Sequence, residues 1–186
     1  MSRYLQARPR GVLVWLAVSP LSLERQLFEH LLGARDAVAL NPPALAAALG
    51  HPVQAIARAL FALNRHASIA VRDAAASVTA VAPGGLASLP QDMVDIAGQR
   101  GEIMLASADG FCIAQAGLPS ERAEAVAAQL SLGIWPLMSF RAALQVGGRV
   151  LNFCASSEID LAHPAMLRLG AHLVRGGHSF PVLASV

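Results

Sequence analysis

The chain has 186 residues, 55% of them hydrophobic and only 14% charged, which excludes the low-hydropathy, high-charge composition of disordered chains. A formal charge of +2 is too small to mark, by itself, a strongly basic nucleic-acid or membrane-surface binder. Ala makes up about a fifth of the residues and every basic side chain is Arg, a pattern that reads as the coding bias of a GC-rich bacterial genome rather than a functional choice. The charge is unevenly spread. Residues 1–90 carry eight Arg against Glu24, Glu29, Asp36 and Asp73, and residues 91–186 carry six Arg against eight acids, which suits two units with different partners.

Arg3, Arg8 and Arg10 precede the apolar run 11–18 in the manner of a secretory signal, but Pro20 directly after Ala17-Val18-Ser19 obstructs cleavage there. The run is expected to be a buried strand. Nothing approaches the roughly 20 consecutive apolar residues of a membrane span, and a cytoplasmic protein is expected. Cys112 and Cys154 stand among apolar neighbours with no CxxC or Cys/His spacing. They read as reduced, buried thiols rather than zinc ligands.

Ser22 can cap a helix to about Leu32, on which Leu23, Leu27, Phe28 and Leu31 recur at helical spacing and which Gly33 closes. A short strand at 37–40 follows. Asn41 then precedes Pro42-Pro43, suited to a first helical turn, and the helix through 44–49 ends at Gly50. After a turn at Gly50-His51-Pro52, a helix over 53–65 carries Ile56, Leu60 and Leu63 on one face. Strands are expected at 68–72 and 77–82, joined by Asp73-Ala74-Ala75-Ala76.

The stretch LNPPALAAALGHPVQAIARALFALNRHASIAV, with Leu45, Ala46, Leu49, Val53, Ile56 and Leu60 as shared core, resembles a winged helix-turn-helix. In such folds the second helix of the pair commonly meets DNA. The resemblance implies Gln54, Arg58, Asn64 and Arg65 as the possible DNA contacts, on a face that also holds Ala57 and Phe61. Winged helices also serve as protein-binding modules, and the sequence leaves both uses open.

Pro83-Gly84-Gly85 opens the expected linker, 83–90. A short helix over 91–99 should follow. Next, 104–107 and 111–115 flank Asp109-Gly110, which can supply the positive φ angles of a two-residue hairpin turn. Gly117-Leu118-Pro119 breaks the ladder, and Ser120 with Glu121 and Glu124 reads as a capping box opening the next helix.

Leu105-Ala106-Ser107-Ala108-Asp109-Gly110-Phe111-Cys112-Ile113-Ala114, followed by Gly117-Leu118, resembles the roadblock/LC7 family of small α/β domains over about residues 90–175. The resemblance implies a profilin- or longin-like sandwich on a central antiparallel sheet. It also implies a non-catalytic homodimer that regulates or scaffolds partners, with a small Ras-like GTPase as a candidate.

On the helix from Ser120, a stripe of Ala123, Val126 or Ala127, Leu130, Ile134 and Leu137 should pack on the sheet. A second stripe, Ala125, Ala128, Leu132 and Trp135, lies about 100° away by the 3.6-residue period. One sheet cannot cover both, and the second stripe is assigned to the homodimer interface. The alternative cover is the N-terminal half of the same chain.

Beyond Pro136 periodicity leaves open whether 137–143 continues the helix or enters a strand. Strands at 144–146 and 150–156 flank Gly147-Gly148, a helix covers 163–174, and 179–186 can add an edge strand. The family pattern has more strand length between the central and final helices than is legible here.

His30, His51, His66, His163, His172 and His178 form no HExxH run or i,i+4 ligand pair, the paired glycines lack phosphate-loop contexts, and Glu158 with Asp160 reads as a solvated helix entry. No catalytic residue, metal or cofactor is assigned. The expected architecture is α+β: a winged-helix-like domain at 1–82 with an extra N-terminal strand, and a roadblock/LC7-like domain at 91–186. The function that follows is a non-catalytic bacterial regulator or adaptor acting through homodimerisation and protein binding. The alternative is a DNA-binding transcriptional regulator whose C-terminal domain dimerises or senses.

Overall fold

A computed structural model describes residues 3–74 and 88–176. The expected strand at 77–82, most of the expected linker, His178 and the expected strand at 179–186 lie outside the described residues. The fold is α+β, with seven helices and two antiparallel sheets among those residues.

The N-terminal half runs β1 (Tyr4–Ala7), α1 (Gly11–Ala17), α2 (Leu23–Gly33), β2 (Val38–Ala39), α3 (Pro42–Leu49), α4 (Val53–Arg65) and β3 (Ile69–Arg72). Its sheet has the order β2-β1-β3. Local chemistry places most of these elements. Ser22 Oγ accepts from Arg25 N at 3.2 Å, and Asn41 Oδ1 accepts from Ala44 N at 3.2 Å. Each satisfies one of the N–H groups that a helix start leaves unpaired. Gly50 ends α3 in the left-handed region at φ 69°, where a Cβ is unfavourable.

The run 11–18 is a correction: it is helix α1, not a strand. Buried Gly11, Val12, Trp15 and Leu16 recur at helical spacing while Val14 is exposed, whereas a strand would bury alternate residues. Gly11 sits so close to α2 that a Cβ there would lie 2.8 Å from the Phe28 ring. Trp15 Nε1 donates to buried Ser68 Oγ at 2.8 Å. These contacts to distant residues overrule the β propensity of Val and Trp. The extra N-terminal strand lies earlier, at β1, in the middle of the small sheet.

The C-terminal half runs α5 (Leu89–Ala97), β4 (Ile103–Ser107), β5 (Cys112–Ala116), α6 (Ser120–Ser131), β6 (Phe140–Val146), β7 (Arg149–Ala155) and α7 (Ala165–Gly176). Its sheet has the order β5-β4-β7-β6. The β4–β5 hairpin forms as expected, but its turn differs. Of its residues only Gly110 takes a positive φ, at 89°. Gly110 N donates to Ser107 O, and Ser107 N donates to Phe111 O, so the loop is three residues with a glycine bulge rather than a two-residue turn. The two-residue turn occurs at Gly147-Gly148, with φ 56° and 77°.

Two further expectations fail at the ends of α6. Pro119 is its N-cap, with no side-chain cap bond, so Ser120 forms no capping box. Its other end is set by Gly133 rather than Pro136. Gly133 N donates to Leu130 O and Ile134 N to Gln129 O, a Schellman closure with glycine at φ 74°. Ala123, Ala127 and Leu130 are buried as the stripe predicts, while Ile134 and Leu137, past the closure, are exposed.

The larger sheet is covered unequally. Met104, Ala106 and Cys154 on one face pack with Leu118, Ala123, Ala127 and Leu130 under α6. Leu105, Leu144, Leu151 and Phe153 on the other face join a core that includes α5 and α7 and continues into Val12, Leu16, Leu27, Phe28 and Ile56 of the N-terminal half. One interior thus serves both halves. Arg25 is built into that junction at 2% exposure. Its Nε donates to Glu29 Oε1 at 2.8 Å, its Nη1 to Leu16 O at 3.0 Å and Val18 O at 2.6 Å, and its Nη2 to Gln145 O on β6. Leaving a buried acceptor without a donor costs roughly 1–3 kcal/mol. Arg25→Met is therefore expected to lower the unfolding free energy by about 1–3 kcal/mol, chiefly because Leu16 O, the acceptor of the fully buried bond, loses its donor. Equilibrium urea denaturation measures this, and a loss under about 1 kcal/mol would show the guanidinium to be dispensable.

Candidate interaction surfaces

Ala125, Ala128 and Leu132 lie on the side of α6 away from the sheet, and Trp135 follows in the irregular segment after the helix. All four are exposed, Leu132 by 76% and Trp135 by 37%. Ile134 at 54% and Leu137 at 106% extend the same apolar segment. The Gly110 loop abuts the end of α6, where a Cβ would lie 2.9 Å from Ser131 Oγ, and exposed Phe111 follows it. Among the described residues the N-terminal half does not cover this surface, since its core residues pack with the opposite sheet face. On the face of the sheet that α6 packs on, β6 carries exposed Arg141, Ala143 and Gln145. Helix ends closed by glycine are legible in sequence when an apolar residue follows, and Gly133-Ile134 has that form.

The second surface is α4. Helices α3 and α4 meet at 106°, within the range of helix-turn-helix pairs. Ile56, Ala59, Leu60 and Leu63 face inward, while Gln54, Ala57, Arg58, Phe61, Asn64 and Arg65 are exposed. The geometry therefore places all four possible DNA contacts, Gln54, Arg58, Asn64 and Arg65, along one outward face. Phe61 stands among them at 69% exposure. The helix carries no acid. The two candidate surfaces are separate: no residue of one takes part in the other.

A third cluster escaped sequence reasoning. Arg168 of α7 reaches two carboxylates of α5, Asp92 Oδ1 from Nε and Asp95 Oδ2 from Nη2, both at 2.5 Å. The Asp92 hydrogen bond above all holds this guanidinium more firmly protonated than usual, against a partial desolvation. Buried Asp92 keeps its Oδ2 3.0 Å from His172 Nε2, close enough for an ion pair but off the hydrogen-bond direction, so that oxygen has no aligned donor. Ser88 Oγ lies 2.9 Å from the same nitrogen.

A nucleophilic triad needs the acid on the ring nitrogen opposite the one that faces the hydroxyl. Here serine and aspartate share one nitrogen, and the cluster works as a clasp between α5 and α7. The signal was the pairing of Asp92 and Asp95 at i,i+3 with Arg168 and His172 at i,i+4, which becomes informative only once the two helices are known to pack. No metal-holding group of three ligands occurs among the described residues.

Both thiols lie on the α6 side of the sheet and are free. Burial pushes the Cys154 thiol up to about 11, with Arg141 opposing. Burial and then the Glu124 charge push Cys112 up as well. A raised thiol pKa leaves less thiolate at a given pH, and thiolate is the nucleophile. Alkylation with iodoacetamide near pH 8 should therefore be slower at both than at a free cysteine, and slower at fully buried Cys154 than at Cys112. Peptide mass spectrometry reads the order, and faster labelling of Cys154 would contradict it. No single helix among the described residues is long and apolar enough to cross a membrane. Comparison with protein-family models, curated proteins and solved structures returns no match to this chain.

Proposed function

We propose that the chain is a non-catalytic regulatory or scaffolding protein of the bacterial cytoplasm that acts as a homodimer and binds protein partners. The carrying observation is the uncovered apolar surface of Ala125, Ala128, Leu132 and Trp135, extended by Ile134 and Leu137. Large contiguous apolar surface on a folded chain marks an interaction site. A second copy suits it. The alanines let two helix backbones approach closely, and an isologous contact buries the same residues on both subunits.

The reading is supported by the order α5-β4-β5-α6-β6-β7-α7, with α6 the one helix on its face of the sheet among the described residues. That order is compatible with the roadblock/LC7-like resemblance carried by Leu105–Ala114, though only two strands separate α6 from α7. By resemblance alone, a small Ras-like GTPase is the first partner to assay. Ala128→Glu or Trp135→Asp should convert a dimer to a monomer in light scattering after size exclusion. A wild-type chain monomeric at micromolar concentration would sink the dimer.

A second reading, a DNA-binding regulator, is favoured by the 106° helix pair and by the acid-free outward face of α4 with Gln54, Arg58, Asn64 and Arg65. Its winged-helix character rests on the sequence resemblance and on this pair. Two arginines make a thin phosphate contact, doubled in a dimer. Arg58→Ala with Arg65→Ala should abolish the salt-dependent shift of duplex DNA given by the wild-type chain. No shift by the wild-type chain at low salt removes this reading and leaves α4 as a protein-binding face.

A further inference from the structure

Helix α2 is held to the C-terminal half at both ends by guanidinium groups that fill otherwise unpaired carbonyls. At its first turn Arg25 bonds Gln145 O while also serving Leu16 O and Val18 O at the end of α1. At its last turn it is Arg175 of α7 that reaches back, donating from Nη2 to Leu32 O at 3.4 Å and Gly33 O at 3.1 Å. Near that last turn α7 packs at Gly170 against both α1 and α2, where a Cβ would lie 2.9 Å from Val12 Cγ1 and 3.2 Å from Leu32 Cδ1. Helix α2 also packs against α4.

The other end of this path lies in the sheet that α6 packs on. Among the described strands, β6 is at the edge of the sheet. Val146 and Arg149 close the two-residue turn as a hydrogen-bonded pair, so Gln145, opposite Val150, directs its backbone groups away from β7. Arg25 thus holds β6 at an outward-facing carbonyl, and the Gln145 side chain is exposed on the same face of the sheet that α6 packs on.

We propose that α2 is a strut through which occupation of the α6 side of the sheet by a second copy steadies the α4 surface; this rests on the homodimer reading above. A second copy that limits the motion of β6 fixes the Gln145 carbonyl, and with it the guanidinium and the first turn of α2. Arg175 and Gly170 fix the other end, leaving α4 a rigid bed. Ordering of α4 in advance lowers the entropic cost of its own partner's binding, which is positive cooperativity without a change of shape.

Hydrogen exchange of the full chain, followed by mass spectrometry above and below the dimer dissociation constant, tests the strut, with light scattering on the same samples. Dimerisation should slow exchange in α6 and also in α2 and α4, the latter by about fivefold, the low end of ordinary coupling. Lysine keeps the charge but cannot span the four acceptors. In Arg25→Lys, α6 should still be protected on dimerisation while α4 no longer responds. Arg175→Ala, made at the half-buried α7 residue that holds the last turn of α2, should weaken the α4 response without abolishing dimerisation, and serves if Arg25→Lys does not fold. Protection of α6 with α4 unchanged in the wild type would overturn the coupling and leave the dimer standing. A full α4 response retained in Arg175→Ala, or in a folded Arg25→Lys, would overturn the route through α2. A chain monomeric at every concentration would overturn the dimer and the coupling with it.

Discussion

The packing of this protein turns on where the carbonyls at the end of α1 and the edge of β6 find donors. Helix α1 is seven residues long, and a helix leaves its last four carbonyls without partners of its own. In a short helix most of the acceptors are therefore terminal ones. Two of the carbonyls at this end, and an outward one of the edge strand, face one buried position, and Arg25 brings a planar fork of donors to it. Lysine, with a compact charge and no fork, would not reach them in this geometry. Glu29, one helical turn on, balances the charge from the rim of the site. The interior of the larger sheet and that of the helical half can be continuous because this polar knot closes the seam between them.

A second polar seam, between α5 and α7, is made differently. Asp92 is buried, and Arg168 bridges it to Asp95 near the surface, with His172 and Ser88 completing the inner end. Buried ion pairs of this kind add little net stability compared with apolar packing, because desolvation offsets the attraction. They fix one alignment of two helices against the slide of a turn that an all-apolar contact would allow. The sheet thus receives α5 and α7 in a set register on one face and leaves α6 to cover the other.

Elements with strong local chemistry were legible in the sequence. The Ser22 and Asn41 caps, Gly50 and the spacing of Ile56, Leu60 and Leu63 define α2, α3 and α4 to within a residue or two, and Gly147-Gly148 defines the β6–β7 turn. The residues of the candidate α6 and α4 surfaces were likewise readable as outward positions, because helical periodicity states which side chains share a face. What remained hidden depends on distant partners. Gly11–Ala17 has β-prone residues but is helical because Phe28 and Ser68 shape its surroundings. Tyr4–Ala7 is too short to announce itself, and becomes a strand only between β2 and β3. Arg25 and the Asp92 cluster show no more than helical spacings in the sequence, as each becomes a site only where separate elements meet.

The continuous interior has a consequence for how such a protein can change over time. Leu144, Leu151 and Phe153 on the sheet and Leu16, Phe28 and Leu32 on the helices belong to one core, so each half supplies part of the other's inner wall. Neither could be traded for an unrelated module by joining coding segments, since the newcomer would have to match a buried surface and a guanidinium site it had never met. Change of surface chemistry is open to this chain mainly through exchange of side chains in place, on exposed faces such as those of α4 and α6, where substitution leaves the common interior untouched.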